Sequence, residues 1–161
     1  MASNNNKQIM IGADHAGYEL KTHLKAYLEA EGFTVTDVGC HSSDSVDYPQ
    51  IGYKLALSMQ KQDIDRGVLV CGSGIGVSIA ANRFPHIRAA VARSLTDALL
   101  SRQHNDANVI CFGGRITAPA LAIDILKTWL QTPFEGGRHA KRTQMLEEYD
   151  SFKTQEAPRS C

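Results

Sequence analysis

The sequence lacks the features that mark membrane proteins and nucleic-acid-binding proteins. No stretch approaches the roughly 18 consecutive apolar residues that a membrane-spanning helix needs, and residues 1–10 are polar and rich in asparagine. The 17 basic and 17 acidic residues balance, and they form no basic run. This balance argues against nucleic acid or an anionic membrane as the main partner. We therefore expect a cytoplasmic protein that binds neither.

Cysteines are also few, and they are not spaced as zinc ligands or as a disulfide framework. The four cysteines, Cys40, Cys71, Cys111 and Cys161, include no C-x-x-C pair. The sequence therefore predicts neither a disulfide framework nor a zinc site, and a reducing compartment suits it best. No metal ligands are predicted.

The length of 161 residues suits one domain, because a chain of this size buries about 70% of its unfolded surface. We expect a single domain over residues 1–161, in which residues 1–7 and 154–161 are flexible tails. No internal repeat is present.

Apolar segments of two kinds alternate along the chain. Short apolar or β-branched runs predict strands, and longer segments with apolar residues three and four apart predict helices. The predicted strands are 8–12, 34–38, 67–71, 88–92 and 109–112. The predicted helices follow each strand: one ends at Gly32, one begins near Tyr48-Pro49, one ends near Phe84-Pro85, one spans 95–102, one spans 117–130 and the last spans about 138–152. This order predicts an α/β fold, a three-layer, doubly wound, Rossmann-like sheet of about five parallel strands with a C-terminal helix.

Polar residues follow three of these strands. Asp14-His15 follow the first strand, Cys71 to Gly76 the third, and Gly113-Gly114-Arg115 the fifth. Ligands of such sheets bind beyond the carboxyl ends of the strands, so these groups are predicted to form one site. Taken singly, Asp14 is a good helix cap and Gly113-Gly114 an ordinary turn. The occurrence of all three polar segments at the same predicted edge of the sheet favours a ligand-binding site.

Cys71 occupies the most informative position, where an apolar strand leads into the glycine-rich segment Gly72-Ser73-Gly74-Ile75-Gly76. Backbone N–H groups and the start of a helix at this point would stabilise a thiolate, an oxyanion or a phosphate. The alternative is a small buried hydrophobic residue, which is what most cysteines are.

The glycine spacing excludes the common nucleotide motifs. A dinucleotide fingerprint would need a third glycine at Val77 or Ile79, and a P-loop would need a lysine after the glycines. A cysteine phosphatase loop would need an arginine at Val77. A reactive thiol and the hydroxyl of Ser73, surrounded by N–H donors, remain.

Two further groups carry charge. His104 lies at a predicted helix end, where either a catalytic role or a favourable interaction with the helix dipole would explain it. Arg138 and Arg142 are four residues apart on the last helix, beside His139, and so project from one face. Such a pair suits a phosphate, although a solvated helix face is the alternative.

These segments together resemble a family of sugar-phosphate isomerases, which comprises type B ribose-5-phosphate isomerases and bacterial galactose-6-phosphate isomerase subunits. The resemblance runs from Ile9 to about Tyr149. Its most specific strings are Ser101-Arg102-Gln103-His104-Asn105-Asp106 and Glu135-Gly136-Gly137-Arg138-His139. It implies a Rossmann-like homodimer, in some members a tetramer, with shared active sites. It also implies an aldose–ketose isomerase of the pentose phosphate pathway that interconverts ribose 5-phosphate and ribulose 5-phosphate without a metal or organic cofactor.

The resemblance also implies a role for each site residue. Cys71 is the general base that moves a proton between C1 and C2 through an enediolate, His104 assists ring opening, and Ser73 passes protons between O1 and O2. One branch of the family uses a glutamate within the glycine segment as base, but Ile75 stands at that place here. The implied substrate-binding residues are Asp14, His15, Gly72, Ser73, Gly74, Ile75, Gly76, Asn105, Arg115, Arg138 and Arg142.

Two alternatives remain open. The same site could isomerise a six-carbon sugar phosphate such as allose 6-phosphate or galactose 6-phosphate. The chain could also be a non-catalytic module that binds sugar phosphates, since doubly wound folds host many functions. The presence of Cys71, Ser73 and His104 together argues against the module, because binding needs the arginines but no base.

Overall fold

A computed structural model describes residues 7–148, and within them five apolar segments form the strands of one parallel sheet. The strands are β1 (Gln8–Ala13), β2 (Thr34–Asp37), β3 (Gly67–Cys71), β4 (Ala89–Val91) and β5 (Val109–Gly113). Their order across the sheet is β2-β1-β3-β5-β4. Two of the three interior strands, β3 and β5, are buried along their whole length, as expected for strands that are covered on both faces.

Six helices surround the sheet in the described part of the chain. They are α1 (Tyr18–Ala30), α2 (Tyr48–Gln62), α3 (Ile75–Ala81), α4 (Leu95–Asn105), α5 (Pro119–Gln131) and α6 (Arg138–Glu147). Proline stands in the first turn of both α2 and α5, where its missing N–H costs nothing. A capping box begins α4, since the Ser94 hydroxyl accepts the Asp97 N–H and the Asp97 carboxylate accepts the Ser94 N–H.

The helices divide into two layers with a core on each face of the sheet. One core packs α1 and α5 against the sheet around Trp129, and the other packs α2 and α3 around Leu55 and Met59. The predicted three-layer α/β fold is thus confirmed. None of the helices from residue 7 to residue 148 combines the length and the apolar character needed to cross a bilayer.

Several predicted boundaries were wrong by a few residues. α3 begins at Ile75 and ends at Ala81, before the predicted stop near Phe84-Pro85, and β4 covers only three of the five predicted residues. The apolar spacing of α4 predicts a packed face of Leu95, Ala98, Leu99 and Arg102; Ala98 and Arg102 are buried as predicted, whereas Leu95 and Leu99 are exposed. α6 is described to Glu147. The predicted end of that helix at Phe152, most of the N-terminal tail and the whole of the C-terminal tail lie outside the described residues.

Candidate active site

Cys71 is the last residue of β3 and lies at the carboxyl edge of the sheet. The backbone amide of Gly74 donates a hydrogen bond to Sγ of Cys71 at 3.2 Å. The carbonyl oxygen of Cys71 accepts the N–H of Gly114 at 2.7 Å, which joins this residue to the turn after β5. The thiol is 4% exposed. It is therefore held in place on two sides and shielded from bulk water.

Gly74 makes this geometry possible. Its φ of +79° is in the left-handed region, and a Cβ at this position would lie 3.0 Å from the carbonyl carbon of Phe112. Only glycine combines that conformation with that close packing at no steric cost. The turn brings the hydroxyl of Ser73 to the start of α3, where its oxygen accepts the N–H of Ile75 at 3.3 Å.

The turn after β1 lies beside this loop. The Asp14 amide donates to the carbonyl of Val70 at 3.1 Å, and the buried Asp14 carboxylate accepts the Gly17 N–H at 3.0 Å. The carboxylate stabilises the turn that leads into α1, whose N-cap is Gly17. Asp14 is therefore not the N-cap of α1, and its carboxylate lies in the turn beside the Cys71 loop.

The turn after β5 completes the edge. The amide of Arg115 donates to the carbonyl of Gly72 at 3.2 Å, and its guanidinium lies over Gly72, where a Cβ would come within 3.4 Å of Nη1. Gly114 packs against the carbonyl oxygen of Ala16, since a Cβ there would lie 2.5 Å from it. The structure thus brings together the three polar segments that follow β1, β3 and β5, as predicted.

The loop between β2 and α2 forms a wall next to this edge. Nδ1 of His15 lies 3.3 Å from both the backbone nitrogen and the carbonyl oxygen of Val46 in this loop. Buried Lys21 anchors the loop at its start, because its ammonium group pairs with Asp37 at 2.8 Å and donates to the carbonyl of Cys40. At the end of the loop the Tyr48 ring packs over Gly76.

A second cysteine lies near the first but has different chemistry. Cys111 is fully buried in β5, and burial first, then the neighbouring Cys71, raises the pKa of its thiol above the ordinary value. Such a thiol stays protonated and cannot act as a base.

A second cluster of predicted site residues lies where α4 meets α6. The rings of His104 and His139 stack with centroids 4.3 Å apart and planes 8° apart. The Arg138 guanidinium donates to Nε2 of His139 at 3.4 Å, and the Glu135 carboxylate lies 3.8 Å from the same nitrogen. Burial, then His104 and Arg138, lower the pKa of His139, which favours its neutral form.

The two clusters lie at opposite edges of the sheet within one chain. His104 is near the end of α4, which leads into the amino end of β5, whereas Cys71 is at the carboxyl end of parallel β3. A strand of five residues spans about 15 Å. Arg88, which precedes β4, pairs with Asp106 at the end of α4 and with Glu147 of α6 at 2.6 Å. His104, Asn105, Arg138 and Arg142 therefore belong to the amino edge.

Comparison with known proteins places this arrangement in a family. The model of the Ribose/Galactose Isomerase family matches residues 9–146. The chain belongs to this family. Ribose-5-phosphate isomerase B of Escherichia coli is 44% identical over 140 residues, which cover 87% of this chain and 94% of that protein.

Solved structures of isomerases agree in fold. The chain is similar to ribose-5-phosphate isomerase B of Clostridium thermocellum with a TM-score of 0.88 and 45% identity, over 91% of this chain and 99% of that one. It is also similar to the Mycoplasma genitalium enzyme, whose structure contains bound ribulose 5-phosphate, with a TM-score of 0.84, 36% identity and coverage of 89% and 96%. The resemblance noted from the sequence is confirmed at the level of the family.

One group of possible metal ligands was not predicted from the sequence. His104, Glu135 and His139 bring two imidazoles and a carboxylate together, with one ligand atom from each within 4.8 Å of the others. Cysteine spacing gave no sign of this group, because His104 is distant from the other two in sequence. The proximity of Glu135 to His139 in the sequence is the local signal of this group.

Proposed function

We propose that this chain is an aldose–ketose isomerase that interconverts ribose 5-phosphate and ribulose 5-phosphate. The observation that carries the proposal is the hydrogen bond from the Gly74 amide to Sγ of Cys71, at the sheet edge where Asp14, Ser73 and Arg115 meet. Relatives of similar length bear this activity in their names, and one contains bound ribulose 5-phosphate. The reaction needs no metal or organic cofactor in this scheme.

Cys71 acts as the carbon base. A proton next to a carbonyl is removed efficiently by a group whose basicity matches neutral pH, held close to the substrate carbon. The Gly74 amide donates a hydrogen bond to the sulfur, and the Gly72 to Gly76 segment lies at the sheet edge where the enediolate oxygen would develop. Each donor of this kind is worth roughly 3–4 kcal/mol in the transition state. The Ser73 hydroxyl then passes a proton between O1 and O2.

A second copy of the chain completes the site. His104, Asn105, Arg138 and Arg142 cannot reach Cys71 of their own chain, because the two clusters lie at opposite edges of the sheet. Large apolar side chains near the Cys71 loop are exposed, including Ile75 at 46% and Ile79 at 60%. Burial of this face against a second copy would remove that surface from water. His104 of one copy would then assist ring opening on the substrate that Cys71 of the other copy attacks.

The arginines select phosphorylated substrates. Arg138 and Arg142 are exposed on one face of α6, and Arg115 lies beside the glycine segment. Guanidinium groups bind phosphate oxygens with paired, charge-assisted hydrogen bonds.

An assay of the purified chain on ribose 5-phosphate, allose 6-phosphate and galactose 6-phosphate tests the assignment. We expect the largest kcat/KM for ribose 5-phosphate. Faster turnover of a six-carbon sugar phosphate would replace the proposed substrate, and the absence of turnover on all three would favour a binding module.

A further inference from the structure

We propose that His104, Glu135 and His139 form a binding site for a first-row transition metal ion such as Zn²⁺, and that the ion inhibits the isomerase. The site comprises two imidazole nitrogens and one carboxylate oxygen, with one ligand atom from each residue within 4.8 Å of the others. Two histidines and one glutamate are a ligand set that zinc adopts in proteins, with a fourth position left for water. Imidazole donors select zinc, copper and nickel over magnesium and calcium.

The backbone holds the three residues in place. The Glu135 amide donates to the carbonyl of Gln103 at 3.2 Å, which fixes the segment before α6 against the end of α4 next to His104. Glu135 precedes α6 and His139 lies in its first turn, and Oε2 of Glu135 is 3.8 Å from Nε2 of His139. The cluster is thus fixed by main-chain contacts as well as by its own side chains.

The distances are close to those of a metal site. Ligand atoms around a tetrahedral zinc ion lie about 3.4 Å apart, given bonds of about 2.0–2.2 Å. Ligand atoms 3.8 Å apart, and at most 4.8 Å apart, need to move by about 1 Å or slightly more to meet this value. Side-chain rotation can supply this movement without a change in the backbone.

Two features of the cluster must change when the ion binds. The two rings are parallel within 8°, whereas a metal ion lies in the plane of each imidazole that binds it, so one ring must turn. His104 is the freer ring, because it is half-buried whereas His139 is buried. The 3.4 Å contact from Arg138 to Nε2 of His139 must also open.

Inhibition follows if His104 assists ring opening, and this consequence rests on the proposed function. Zinc takes up the lone pair of the imidazole nitrogen that it binds, so that nitrogen of His104 can no longer accept or donate a proton for ring opening. Binding itself depends only on the three side chains, so it is measured without substrate.

The experiment uses the full chain without a histidine tag and measures Zn²⁺ affinity by competition with a chromophoric chelator. We expect one tight Zn²⁺ ion per chain, and Mg²⁺ should not compete. Glu135→Gln and His139→Gln should each weaken binding by at least about tenfold. Glu148→Gln, which alters an exposed glutamate that bonds only Gln144 among described residues, should bind as the parent does. Without metal, Glu135→Gln should retain parental isomerase activity and should resist inhibition by Zn²⁺.

The thiol of Cys71 is the alternative binding site for Zn²⁺, and the variant Cys71→Ala distinguishes the two sites. Retention of Zn²⁺ binding in this variant, together with a Co²⁺ spectrum that lacks a thiolate charge-transfer band, supports the His104–Glu135–His139 site. Loss of binding in Cys71→Ala, or parental binding in Glu135→Gln, overturns it. Binding to the predicted residues without loss of activity supports the metal site and contradicts instead the role of His104 in ring opening.

Discussion

The amide of Gly74 lies 3.2 Å from Sγ of Cys71 and donates a hydrogen bond to it. This contact connects the end of β3 to the start of α3 across a turn that only glycine can make without strain. It fixes the sulfur in a buried position while the adjacent Ser73 stays partly accessible. The proposed base and its hydrogen-bond donor are thus arranged by the backbone.

Substitution of Cys71 by alanine should abolish exchange of solvent deuterium into the substrate. Affinity for the sugar phosphate should stay within roughly tenfold of the parent, because the arginines supply binding that does not depend on the base. Mass spectrometry of the recovered sugar measures the exchange. Cys111→Ala is the matched control, since burial raises the pKa of that thiol and keeps it protonated, so it should exchange at the parental rate. Full turnover by Cys71→Ala would remove the thiol from the mechanism.

Gly74→Ala should destabilise the fold and lower kcat. A side chain in the left-handed region costs about 1–2 kcal/mol, and crowding against the backbone of Phe112 adds about 1–3 kcal/mol. Gly136→Ala is the control, because Gly136 has a φ of +65° but a Cβ there meets nothing within 4 Å. Denaturant unfolding should therefore show a larger loss at position 74 than at position 136. Equal losses would mean that backbone conformation alone explains the effect.

The sheet and the grouping of polar residues at its carboxyl edge could be predicted from the sequence, because continuous apolar runs mark the buried parallel strands. The runs at 67–71 and 109–112 are apolar throughout because both faces of β3 and β5 are covered, and the parallel fold places the residues after them at one edge. The ends of the helices were harder to predict from the sequence. α3 stops at Ala81, where the Asn82 amide group bonds both the N–H and the carbonyl of Ala89, and no local pattern signals that contact.

The spacing of residues also could not predict that the predicted site residues lie at two opposite edges of the sheet. Sequence spacing shows that Arg138 and Arg142 share a helix face, but the packing of α6 against α4 depends on contacts between distant residues, such as those of Arg88 with Asp106 and Glu147. The stack of His104 on His139 has the same origin. Long-range contacts of this kind carry no local signature.

Arg142→Ala should lower kcat/KM for ribose 5-phosphate by more than about 100-fold, because loss of one charged partner of a phosphate costs about 3 kcal/mol. The preference for phosphorylated over free ribose should fall by the same factor. Steady-state kinetics on both sugars measures this. Lys141→Ala, an exposed neighbour on the same helix, is the control and should keep the parental ratio. An unchanged preference for phosphorylated ribose in Arg142→Ala would show that Arg142 does not bind the phosphate.

The dependence of stability on pH should reveal the burial of His139. Its pKa is lowered in the folded chain, so below the ordinary histidine value of about 6.5 the unfolded chain binds more protons than the folded chain. The free energy of unfolding should therefore decrease as the pH falls from 7 through 6.5 toward the lowered value. His139→Gln should show a shallower decrease over the same window. Urea unfolding at a series of pH values gives the two slopes, and identical slopes would contradict this assignment.

Mixing of two inactive variants should restore activity if the site is shared between copies. In a dimer of Cys71→Ala with His104→Asn, one site carries both substitutions and the other carries neither. Random pairing of equal amounts makes half of the dimers mixed, so ribose 5-phosphate isomerase activity should rise toward about a quarter of the parental value. Each variant mixed with itself is the control and should stay inactive. Native mass spectrometry verifies that subunits have exchanged. If exchange is complete and activity does not recover, Cys71 and His104 act within one chain, and the opposite-edge arrangement cannot be the catalytic one.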